Sequence, residues 1–113
     1  MGDNGNIGFA WENFLGNVTD RMSEKALTGE YTYDAMLSVG DNIYSEGIPD
    51  FEDLDYAFEL MEEFAKPGLK DLPMHLVPGN HDCFSDIENE IKFTEVHEQW
   101  NMPSDYYELR FPL

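Results

Sequence analysis

The chain has 113 residues, 42% hydrophobic and 14% aromatic, enough for one domain with a modest core and too apolar for a disordered chain. Its 24 Asp and Glu against 6 Lys and Arg give a formal net charge of −18, a field that repels a phosphate backbone and excludes nucleic acid as a partner. The acidic surplus reads as a solubilising surface, some of whose carboxylates are candidate cation ligands.

From Phe9 to about Leu27 the apolar residues Phe9, Trp11, Phe14, Leu15, Val18, Met22 and Ala26 recur mostly at three- and four-residue intervals, which predicts a helix with one buried face. Gly16 weakens that helix, and Asn17-Val18-Thr19 within it fits the N-glycosylation acceptor pattern. The run Ala35 to Val39, closed by Gly40, predicts a buried strand that ends in a loop. The segment "PDFEDLDYAFELMEEFAKPG" predicts the clearest helix: Phe51, Leu54, Phe58, Met61 and Phe64 or Ala65 line one face, Asp50 caps the start, and Pro67-Gly68 stops the end.

"LPMHLVPGN" repeats the strand-then-loop pattern, so a βαβ unit with parallel strands is expected. A further amphipathic segment runs from about Ser85 to Trp100, and "DYYELRFPL" predicts a last strand. Cys83 is alone, so it forms no internal disulfide. No apolar stretch reaches the ~18 residues that a membrane-crossing helix needs, and no basic-then-apolar leader is present.

Three loops share one pattern: "GDNG" at Gly2 to Gly5, "GDNIY" at Gly40 to Tyr44 and "GNHD" at Gly79 to Asp82. Each sets a glycine directly before an oxygen ligand, and the last two follow predicted strands, where α/β sheets gather their sites. Oxygen ligands of this kind suit a pair of hard or borderline cations, which carboxylates can bridge. Read singly, each loop is also an ordinary turn: Asp3 and Asp41 as turn carboxylates, Tyr44 as a half-buried aromatic, Asn80 as a helix cap and His81 as an exposed loop histidine.

In that order and at those nearly equal spacings, the loops resemble the first three motif blocks of calcineurin-like metallophosphoesterases. Tyr44, three residues after Asp41, is similar to the purple acid phosphatase branch of compact, tartrate-resistant type, as is "WNMPSDYYELRF" from Trp100 to Phe111. The resemblance implies an α/β metallophosphoesterase sandwich, of which residues 1–113 form a single incomplete domain lacking its first strand and second half. It implies that Asp3 and Tyr44 bind a ferric iron, that Asp41 bridges two metals, and that Asn80 binds a divalent iron, zinc or manganese ion. His81 would stand near the substrate phosphate as proton donor, with Asp82 orienting it or its loop.

The activity implied is acid hydrolysis of phosphate monoesters or phosphoproteins by water activated between the two metals, in a secreted or lysosomal setting. Two further histidine-bearing blocks of the family are absent from the sequence, and His75 and His97 match neither. A fragment of a longer phosphatase, inactive alone, is therefore expected.

The rival expectation is a non-catalytic acidic module, either cation-binding or an interaction domain derived from a truncated phosphatase. An EF-hand version fails on its loop grammar: "DNIYSEGIPDFE" places Ile43 where a ligand belongs, and "DCFSDIENEIKF" ends on Phe93 instead of Glu.

Overall fold

The computed structural model describes residues 12–112. Along the chain lie α1 (Glu12–Leu27), β1 (Met36–Ser38), α2 (Asp55–Glu63), β2 (Met74–Leu76), a 3-10 turn (Asp82–Phe84), α3 (Ile87–Phe93) and β3 (Trp100–Asn101). The strands form one parallel sheet in the order β1-β2-β3, with Met36 beside Met74 and Met74 beside Trp100. The expected α/β unit is present, and a third parallel strand extends it.

Strand periodicity divides the sheet into two unlike faces. Met36, Ser38, Met74 and Leu76 point to one side and are buried, whereas Leu37 between them is 53% exposed. On the buried side Ala57, Leu60, Met61 and Phe64 of α2 and its end join Phe93 and Trp100 in one core. Trp100 and Phe93 meet edge to face at 5.2 Å between ring centroids, and the indole Nε1 donates to Glu90 O at 3.0 Å. Fully burying each large apolar side chain of this kind stabilises the fold by about 2–3 kcal/mol. The core therefore rests on α2, α3 and the strands.

Several elements differ from their sequence expectations. The second helix starts at Asp55, after Leu54, because the Asp50 carboxylate accepts the Glu52 amide in a local turn instead of capping a helix. Its buried stripe runs through Ala57 and Leu60, leaving Phe58 42% exposed at the rim against Phe93. The segment from Ser85 onward stays helical only over Ile87–Phe93, where the Asp86 carboxylate caps the start by accepting the Glu88 amide. It then turns so that Trp100–Asn101 can pair with β2. Residues 106–112 form no strand: the Tyr107 hydroxyl lies 2.7 Å from Leu76 O and 3.0 Å from Asn101 O, and Phe111 packs edge-on to His75. This arm lies against the outer face of the sheet instead of pairing at its edge.

Helix α1 runs through Gly16 and docks beside α2, with Leu15 and Met22 of the expected apolar face packed against the core. Thr19 and Ser23 are buried beside them, where Lys66 Nζ donates to the Thr19 hydroxyl at 2.7 Å, whereas Val18, expected on the apolar face, is exposed. Phe9 and Trp11 lie outside the described residues.

Candidate metal centre

The loops after β1 and β2 leave neighbouring parallel strands at the same end of the sheet. Glycine lets them touch. Gly40 has φ +110°, and a Cβ there would come within 2.9 Å of Gly79 Cα and N. A Cβ on Gly79 would stand 2.3 Å from both Asp41 N and Asp41 Oδ1. The "GD" and "GN" pairs thus reflect one close backbone approach. Replacing Gly79 by Ala is expected to force the loops apart and destabilise the chain by about 3 kcal/mol in urea denaturation. A loss below about 1 kcal/mol would show that the loops can shift freely.

Asp41 sits at the centre of this approach with φ 51°, a left-handed conformation that aspartate tolerates better than most residues. Its Oδ1 accepts the His81 amide at 3.0 Å, and its Oδ2 accepts the Tyr44 hydroxyl at 3.1 Å. The His81 and Tyr44 rings lie 4.4 Å apart between centroids. His81 Nδ1 is 2.8 Å from Ser45 O; a carbonyl can only accept, so Nδ1 carries a proton and donates to it. Asn80 is exposed in the turn between Gly79 and His81. Asp3 lies outside the described residues.

Asp82 ties the two loops together. It is fully buried, and its carboxylate accepts the amides of Asn42 (2.9 Å), Ile43 (3.0 Å) and Gly79 (2.7 Å) together with the Asn42 side-chain amide (3.2 Å). Asn42, also fully buried, adds a bond to Val77 O at 2.9 Å. Neither this role for Asn42 nor the buried Glu90 was visible beforehand. The one available hint is that Asn follows Asp in both "GDN" loops.

Cys83, beside Asp82, is exposed; partial desolvation, then the Asp82 charge, push its thiol upward. His97 accepts the Gln99 amide and lies with Pro73 at the opposite end of β2, where burial lowers its pKa. His75 is in mid-strand on the outer face. Neither lies in the strand-end loops.

The donors present fit part of a hard-cation shell: a carboxylate and a phenol oxygen converge within 3.1 Å, beside an exposed amide and an imidazole. Among the described residues no group of three or more His, Cys, Asp or Glu side chains could hold a metal ion by itself. No described helix is long and apolar enough to cross a membrane.

The sequence pattern of the calcineurin-like phosphoesterases matches residues 4–111. The chain is 36% identical over 80 residues to tartrate-resistant acid phosphatase type 5 of Sus scrofa, covering 71% of this chain and 24% of that protein. The Homo sapiens protein of the same name is 31% identical over 80 residues, covering 71% and 25%. Purple acid phosphatase 4 of Arabidopsis thaliana is 34% identical over 56 residues, covering 50% and 16%. The chain therefore spans at most about a quarter of the length of these relatives.

Proposed function

The chain belongs to the calcineurin-like phosphoesterase family, whose members typically hold two metal ions, and from that premise we propose that its strand-end loops supply part of the metal centre of an acid phosphatase. In this reading Asp41 would serve both metals, Tyr44 and Asp3 would hold a ferric iron, and Asn80 would hold a divalent iron, zinc or manganese ion. The remaining imidazole ligands come from sequence other than these 113 residues. The isolated chain is accordingly expected to bind metal weakly and to turn over little substrate.

The observation that carries the reading is the Asp41 carboxylate, which meets the Tyr44 hydroxyl with one oxygen and the backbone of the "GNHD" loop with the other. When bound, the metals would acidify water and offset charge on the phosphoryl oxygens.

The protein's own contribution is placement. Asp82 fixes the separation of the loops, and Ser45 O fixes the His81 tautomer so that Nε2, once protonated, can donate to the leaving oxygen of a phosphate monoester.

A tyrosine on ferric iron gives a visible charge-transfer band, so the test is spectroscopic. The native protein containing this chain, loaded with ferric iron, is expected to be coloured, and Tyr44→Phe is expected to abolish the band. A band that survives Tyr44→Phe would overturn the assignment of Tyr44.

A further inference from the structure

One buried acid is left over by this account. Glu90, on α3, is fully buried, and neither of its carboxyl oxygens accepts a hydrogen bond from a donor among the described residues. Buried carboxyl groups are rarely left so. Gly47 marks what lies around it: a Cβ there would come within 2.9 Å of Glu90 Oε1 and 2.8 Å of Asp82 O. Glu90 thus stands behind the residue that grips both strand-end loops.

We propose that Glu90 is a positioning residue for those loops, carrying the proton with which it donates to the Asp82 carboxylate and holds it in place from behind.

The assignment of the proton follows from the donors. The Asp82 carboxylate accepts from four N–H donors, whereas Glu90 faces Asp82 with no donor bonded to its own oxygens, so the proton between them belongs on Glu90. Two carboxylates in a dry site do not both ionise. Burial first, and the Asp82 charge second, push Glu90 up to about 9. The other groups near it are the Asn42 amide, already bonded to Val77 O and Asp82, and the Cys83 thiol, itself neutral. From β3, Trp100 Nε1 reaches only the Glu90 backbone carbonyl. No cation in this set competes for the proton.

The sign of the pH effect follows. A carboxyl whose folded pKa lies above its unfolded value contributes stability that is complete below about 4.5 and is lost as pH rises towards about 9. Across that window the unfolding constant rises by up to about tenfold per pH unit. The loops are then best held in acid. Their relevance to a metal centre rests on the function proposed above, whereas the proton itself does not.

The test is a pH titration of the full chain by NMR, following the Glu90 carboxyl carbon and the amides of Asn42, Ile43 and Gly79. The carboxyl is expected to remain in its protonated position through neutral pH, and the three amides to move with it only in alkaline solution. In E90Q, whose side-chain amide can still donate to Asp82, that alkaline movement should vanish and the unfolding constant should stop climbing with pH. A Glu90 carboxyl already ionised at pH 6, or amides that titrate alike in E90Q, would overturn the proposal. Should E90Q fail to fold, the wild-type carboxyl titration alone decides. Loss of the Tyr44 charge-transfer assignment would leave this result standing, so the two failures are distinguishable.

Discussion

Asp82→Ala is expected to be the most damaging single substitution in the chain, costing about 3–5 kcal/mol in a urea or thermal denaturation series. The Asp82 carboxylate accepts the amides of Asn42, Ile43 and Gly79, which belong to two different loops. Alanine would leave those donors without their acceptor in a site that excludes water, and each stranded group costs about 1–3 kcal/mol. Asp82→Asn should fall between alanine and the wild type, because one of its two oxygens becomes an NH2 facing other donors. A cost below about 1 kcal/mol for Asp82→Ala would mean that the loops are held by something other than this carboxylate.

The second large effect is on chemistry. In the native protein that contains this chain, Asp41→Ala is expected to lower turnover of a phosphate monoester by about a thousandfold, since charge stabilisation by metals is worth several kcal/mol and each 1.36 kcal/mol is a decade in rate. The fold should survive the change. Asp41 is only half-buried, and its hydrogen bonds reach one amide and one phenol, so stability should fall far less than in Asp82→Ala. Comparing the two variants therefore separates holding the loops from using them. Near-normal turnover in a folded Asp41→Ala protein would remove Asp41 from the site.

The strand-end loops were legible in the sequence because their physics is local. Glycine before an Asp or Asn at the end of an apolar run needs only a strand and a turn, and Gly40, Asp41 and Gly79 meet at the ends of β1 and β2. The parallel pairing of Met36–Ser38 with Met74–Leu76 followed from the helix between them.

What escaped was decided by tertiary contact. Trp100–Asn101 is too short to show a period of its own and is a strand only because β2 offers an edge. Leu60 is buried and Phe58 is at the rim because α2 is rotated to set its smaller side chains on the sheet, a choice that helical spacing leaves open. The arm ending near Phe111 alternates like a strand, yet lies across the outer face through the Tyr107 hydroxyl. The network of Asp82, Asn42 and Glu90 joins residues about forty positions apart, beyond what spacing can signal.

Metal content of the native protein, measured by elemental analysis with and without Asp41→Ala and Asn80→Ala, distinguishes a metal centre from a pair of ordinary turns. Two metal ions per chain in the wild type, both depleted by Asp41→Ala and one by Asn80→Ala, is the expected result. Metal content that is absent in the wild type, or unchanged by either substitution, would contradict a metal centre built on these loops.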